Sequence, residues 1–136
     1  MKLLREYIRE LVEQASPAAA FMQDYYSSSQ FQDDLGFLYW EMPDSCWVKT
    51  LVYPDKANPG DIYFEAIQTY PAECEGKGHA SGVMNKVIAL ADKYSITMRS
   101  TVNPFGSKRV GKNELMDWYS RVGFVKSSSG IVRLPK

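Results

Sequence analysis

The chain has 136 residues, 45% hydrophobic and 24% charged, with 16 basic and 16 acidic side chains and a formal net charge of zero. That length fits one domain, the mixture argues against wholesale disorder, and the lack of a basic excess removes nucleic acid as the leading partner. No run approaches the ~18 apolar residues of a membrane span, and the opening MKLLREYIREL interleaves charged and apolar positions, unlike a secretory signal.

The first segment places Leu3, Leu4, Tyr7, Ile8, Leu11, Val12 and Ala15 at helical spacing, with Lys2, Arg5, Glu6, Arg9, Glu10 and Glu13 opposite. Ser16-Pro17 reads as a restart: serine caps free N–H groups, and proline suits the first helical position. A second helix from Pro17 to about Tyr26 packs Phe21, Met22 and Tyr25 before the polar run Ser27-Ser28-Ser29-Gln30.

Three strands follow by composition: Phe37–Trp40, Cys46–Tyr53 and Ile62–Tyr70, punctuated by Pro43, Pro54 and Pro71 and joined by short loops as an antiparallel meander. The second half alternates. Ala80–Tyr94 is a helix with Val83, Val87, Leu90, Ala91 and Tyr94 on one face; Ile96–Val102 is a strand. Lys112–Val122 is a helix with Leu115, Tyr119 and Val122 inward and Gly123 as C-cap. Phe124–Lys126 and Ile131–Leu134 form a last hairpin around Ser127-Ser128-Ser129-Gly130. The order predicts a single α+β domain, with N-terminal helices in 1–30 and a sheet core in 37–134. Two cysteines, Cys46 and Cys74, offer one bridge and no C-x-x-C, so a reduced, cytoplasmic setting is the default expectation.

The segment Glu75-Gly76-Lys77-Gly78-His79-Ala80-Ser81-Gly82 lies between a strand and a helix. Small residues there let backbone N–H groups crowd around an anion, and the positive end of the helix dipole adds to the attraction. A Walker A loop lacks its Gly-Lys-Ser/Thr here, and the third glycine of G-x-G-x-x-G falls one place late. By itself such a turn is also what any tight strand-to-helix connection uses.

The stretch resembles motif A of the GNAT superfamily of N-acetyltransferases, R/Q-x-x-G-x-G/A, as Glu75-x-x-Gly78-x-Ala80. Leu115-Met116-Asp117-Trp118-Tyr119-Ser120-Arg121-Val122-Gly123-Phe124 is similar to the end of the family's motif B, a tyrosine, three residues and Gly-Phe after an amphipathic helix. The resemblance covers about residues 37–134. It implies a GNAT-like fold with a mixed, mostly antiparallel central sheet flanked by helices and splayed between the fourth and fifth family strands. Two features depart from the pattern. Glu75 stands at the Arg/Gln position, where a carboxylate near a pyrophosphate costs about 1 kcal/mol if partly exposed, and the chain opens with a helix instead of a strand.

The resemblance implies acetyl-CoA as co-substrate, with its pyrophosphate on Glu75, Gly76, Lys77, Gly78, His79, Ala80 and Ser81. The pantetheine arm would pair like an added strand with backbone groups of Ile67 and Thr69. Tyr119 becomes the acid that protonates the departing thiolate, and Glu65 a candidate general base. Counting alternation, Glu65, Ile67 and Thr69 share one face, so Glu65 is equally an outer-face residue. Glu73 is a weaker base candidate. Asn113 contacts the CoA arm or caps its helix, and Lys108, Arg109 and Lys112 form a local basic cluster. No metal is implied, since His79 has no ligating partners.

The partner expected is a small-molecule or peptide amine; no nucleic acid or membrane is expected, and a homodimer would use the final hairpin's edge. The rival readings are a GNAT-fold binding or regulatory module without catalysis and an α+β interaction domain unrelated to CoA. An enzyme needs an open groove beside Ile67–Thr69 with Tyr119 reaching into it.

Overall fold

The computed structural model describes residues 16–28, 31–102 and 111–136. The helix expected in residues 3–15 and the basic pair Lys108 and Arg109 lie outside the described residues. Helix α1 (Pro17–Ser27) begins as the Ser16-Pro17 signal requires: the Ser16 hydroxyl accepts from the Ala19 N–H at 3.0 Å and proline occupies the first turn. Then come β1 (Phe31–Gln32), β2 (Leu38–Glu41), β3 (Trp47–Pro54) and β4 (Ile62–Tyr70). Helix α2 (His79–Lys93), β5 (Met98–Ser100), helix α3 (Lys112–Arg121), β6 (Val125–Ser127) and β7 (Gly130–Arg133) complete the chain.

Among the described residues, seven strands form one mixed sheet in the order β1-β2-β3-β4-β5-β7-β6. Only β4 and β5 run parallel, which the crossover through α2 makes necessary. Paired residues share a face. One face collects Leu38, Trp40, Val48, Thr50, Val52, Ile62, Phe64, Met98, Ser100 and Ile131, and the three described helices pack on it through Phe21, Met22, Tyr25, Val83, Met84, Val87, Ile88, Ala91 and Tyr119. The opposite face carries half-buried Tyr39, Lys49, Leu51, Tyr53, Tyr63, Gln68 and Tyr70.

The β3–β4 ladder contains one irregularity that shapes everything near it. Leu51 lies opposite Ala66 but Val52 lies opposite Phe64, so Glu65 is an extra residue, a β-bulge. This corrects the expectation that Glu65, Ile67 and Thr69 share a face. Ile67 pairs with Thr50 and so joins Phe64 on the helix-bearing face, while Glu65 drops out of the alternation.

Two further corrections concern β1 and the cysteines. Strand β1 was not expected; it pairs Phe31 with Tyr39 and Gln32 with Leu38. Asp33 closes that hairpin by accepting from the Leu35 and Phe37 N–H groups, each at 3.0 Å. Cys46 and Cys74, expected to be reduced, are joined by a disulfide with an S–S distance of 1.99 Å. The register explains why they meet. Trp47 pairs with Tyr70, so residues just outside that pair come together, and the two Cα atoms lie 5.8 Å apart. Among the described residues, no helix is long and apolar enough to cross a membrane.

Candidate functional site

The site begins where the bulge ends the parallel pairing. Strand β5 accompanies β4 only through the pairs Ile62–Met98, Tyr63–Arg99 and Phe64–Ser100. From Glu65 to Tyr70, β4 keeps β3 on one side and loses its neighbour on the other. Alternate peptide groups of this stretch then face an opening instead of a strand. The opening is a cavity of about 380 Å³ bounded by residues 65–69 of β4, the glycine turn with the start of α2, and one face of α3.

The turn is built for close approach to its own backbone. Gly76 and Gly78 both adopt left-handed φ values, 81° and 84°, which favour glycine. Gly78 caps α2 without a side-chain hydrogen bond, and the first bond of the helix runs from the Gly82 N–H to the Gly78 carbonyl at 3.0 Å. The N–H groups of His79, Ala80 and Ser81 therefore precede the helix's own ladder, at the positive end of its dipole and beside the cavity. Across the opening, the Trp118 indole N–H donates to the Ser81 hydroxyl at 2.8 Å, tying α3 to the start of α2 and fixing the distance between the two walls.

Tyr119 is almost completely buried and lines the cavity from α3. Its ring stands edge-on to Phe64 and Phe124, with centroids 6.4 and 5.2 Å away, and Phe64 belongs to the last β4–β5 pair. The phenol thus sits at the fork of the two strands. Burial pushes its pKa up to about 12, opposed by a hydrogen bond with the Ser100 hydroxyl. It is a neutral hydrogen-bond donor across the physiological range.

Glu65 also lines the cavity, but its carboxylate turns to the sheet face opposite the helices. There it accepts from the Tyr53 hydroxyl at 3.2 Å. Tyr53 stacks on Tyr63, with centroids 5.5 Å apart and planes inclined by 22°. Burial, followed by the Glu65 charge, raises the Tyr53 phenol to about 12.

Of the site residues expected from sequence, the cavity wall gathers Glu65, Ile67, Thr69, Glu75, Gly76, Gly78, His79, Ala80, Ser81 and Tyr119. Lys77 is exposed and not on that wall. Asn113 lies elsewhere, beside a second depression with Thr101, Lys112 and Lys126. Glu73 is exposed on the 3-10 turn that precedes Glu75. Sequence reasoning missed Glu114, Leu115, Trp118 and Arg121 as wall residues. Helical spacing from Trp118 links them, since Glu114 lies four residues from it and Leu115 and Arg121 three, and residues three and four apart share a face. Arg121 is the basic residue among them, on a wall that also holds Glu65, Glu75 and Glu114; its Nε donates to the Asp117 carbonyl at 3.4 Å.

Among the described residues, no group of three or more His, Cys, Asp and Glu side chains is arranged to hold a metal ion. Comparison of the chain with family models, with curated proteins and with solved structures finds no match.

Proposed function

We propose that the protein is a GNAT-type N-acetyltransferase that moves the acetyl group of acetyl-CoA to a primary amine by direct attack. The observation that carries this reading is the open cavity at the β4–β5 fork, with the glycine turn and Tyr119 on its walls. The resemblance of residues 75–80 and 119–124 to the two family motifs supports it, because both segments border that one cavity.

In this reading the pyrophosphate lies on the turn, held by the N–H groups at the start of α2 and by its dipole. Glu75 and Arg121 both lie on the wall of this cavity. The pantetheine arm lies along residues 65–69 of β4 and takes up the peptide groups that β5 leaves unpaired. The acceptor arrives as an ammonium and loses one proton to a base, for which Glu65 is the candidate. Its nitrogen then adds to the thioester carbonyl carbon, the C–S bond breaks, and the nitrogen releases a second proton. Tyr119 donates to the departing sulfur, so the products are an amide, the free thiol of CoA and one proton.

Isothermal titration with acetyl-CoA and with free CoA tests the reading. Dissociation constants on the order of micromolar are expected for both. Gly78→Glu should abolish binding, since it adds a carboxylate at the turn and places a side chain at φ 84°. Absence of heat at millimolar cofactor overturns the proposal.

A further inference from the structure

We infer that the Cys46–Cys74 disulfide is a redox clamp on the glycine turn: oxidised, it holds residues 75–78 in the shape that meets the cavity, and a dithiol reductant releases them. That the turn's ligand is acetyl-CoA rests on the acyl-transfer reading. The clamp itself stands on separate observations.

The two ends of the bridge differ in how they are held. Cys46 is fully buried where the β2–β3 connection closes. Its N–H donates to the Pro43 carbonyl at 3.2 Å, and its carbonyl accepts from the Met42 N–H at 2.9 Å. Strand β3 begins at the next residue, Trp47, whose partner Tyr70 ends β4. Cys74 follows Tyr70 outside that ladder. The backbone hydrogen bonds described there are local, from the Cys74 N–H to the Pro71 carbonyl at 2.9 Å and from the Glu75 N–H to the Ala72 carbonyl at 3.1 Å. From Pro71 to Gly78, Cys74 is the buried residue, and its neighbours are exposed apart from half-buried Glu75. The bridge thus fastens a surface-running segment to the sheet.

What it fastens is the cavity wall. Glu75, next in sequence, lines the opening with Gly76 and Gly78. Both glycines sit at left-handed φ, 81° and 84°, and a Cβ added at Gly78 would meet nothing within 4 Å. Glycine has the widest choice of backbone conformations, so a turn of this composition keeps one shape only when its ends are fixed. Helix α2 fixes Gly78, and the bridge fixes Cys74.

In the reduction, a dithiol's thiolate attacks one bridge sulfur and its second thiol resolves the mixed disulfide. The products are the Cys46 and Cys74 thiols and the reductant's cyclic disulfide, with two electrons and two protons passed to the protein. The freed turn then samples other shapes, and a ligand that needs one of them binds more weakly by the fraction still competent. Linkage is reciprocal: a ligand that prefers the clamped turn makes the bridge harder to reduce by the same factor.

The test uses the full chain oxidised, the chain reduced by dithiothreitol and freed of it by gel filtration, and the double variant Cys46→Ala, Cys74→Ala. Backbone NMR relaxation without ligand should show order parameters of Gly76, Lys77 and Gly78 falling from about 0.85 to below about 0.6 in both unbridged forms, with Val48 and Thr69 unchanged. Titration calorimetry should give an acetyl-CoA Kd about tenfold higher for both unbridged forms. Saturating desulfo-CoA, which has no thiol to exchange with the bridge, should lower the bridge's reduction potential by about 30 mV, that tenfold converted for a two-electron couple.

Unchanged order parameters, or equal Kd values in all forms, overturn the inference and leave the acetyltransferase reading standing. Collapse of the whole amide spectrum without the bridge makes it a staple of the fold and overturns the clamp as well. A loosened turn with acetyl-CoA bound by no form supports the clamp and removes the acetyltransferase reading alone.

Discussion

Tyr119 shows how much of the proposed chemistry one side chain carries. A thiol in water titrates near ~8.5, so a phenol pushed up to about 12 gives its proton to a solvated thiolate only uphill. At the fork the same burial that raises the phenol also raises the basicity of a thiolate formed there, which narrows the gap. Tyr119 therefore contributes most by a hydrogen bond that strengthens as charge builds on sulfur. Tyr119→Phe should lower kcat about 100-fold, within the range of general-acid losses, and leave the acetyl-CoA Kd within about threefold. The ring contacts with Phe64, Trp118 and Phe124 survive that change, and Ser100 keeps its own bond to the Phe64 carbonyl at 2.6 Å. Steady-state kinetics beside titration calorimetry separate the two quantities; an unchanged kcat removes the acid role.

Among the elements, α1 is fastened to the sheet by a polar contact inside the apolar core. The Thr50 hydroxyl meets the Tyr25 hydroxyl at 2.6 Å and accepts from the Trp40 indole N–H at 3.0 Å, all three side chains being buried. Thr50→Val keeps the shape and leaves both partners without that oxygen. Each stranded group costs roughly 1–3 kcal/mol, so urea denaturation should show a loss of about 2–4 kcal/mol, and Thr50→Ser should recover most of it. An unchanged midpoint would mean that Tyr25 and Trp40 find other acceptors. The elements involved were legible in sequence because apolar periodicity and proline punctuation mark them independently of partners. Strand β4 was read to its ends, and the buried face of α2 was read through Val83, Val87 and Ala91. What depends on pairing was not legible. The bulge at Glu65 exists only as a mismatch between two strands, and it ends β5 at Ser100, two residues short of the expected Val102, by turning β4 away. The two-residue β1 has no pattern of its own and is held by the Asp33 turn and by β2.

Over the whole molecule, long-range closure is what sequence spacing hides. The Cys46–Cys74 bridge joins residues 28 apart, and the proximity of its ends follows only from the β3–β4 register. The candidate site was more legible than this closure because its turn and its tyrosine are local motifs; the wall they share, and Arg121 within it, needed the helix to be placed. Arg133 illustrates the same point through stability. It is 2% exposed, and its guanidinium makes a two-pronged pair with Asp92 at 2.9 and 3.1 Å while its Nε donates to the Val122 carbonyl at 2.7 Å. One side chain from β7 thus holds the ends of α2 and α3 together. The Arg133 guanidinium, helped by the Lys136 N–H, keeps the Asp92 carboxyl below the usual carboxylate range against the opposing effect of burial. A carboxyl lowered in the folded state stabilises fully above its unfolded pKa of about 3.9, and that stabilisation fades as pH falls toward the lower folded value. Asp92→Asn leaves a buried guanidinium without its counter-charge, so it should cost about 3 kcal/mol at pH 7. Urea midpoints for both proteins at pH 7, 5 and 3 give the decisive comparison. The gap between parent and variant should hold from pH 7 to 5 and shrink by pH 3, as the parent's Asp92 begins to protonate and the variant has nothing to lose; a gap that stays constant to pH 3 assigns the acid sensitivity to other carboxylates.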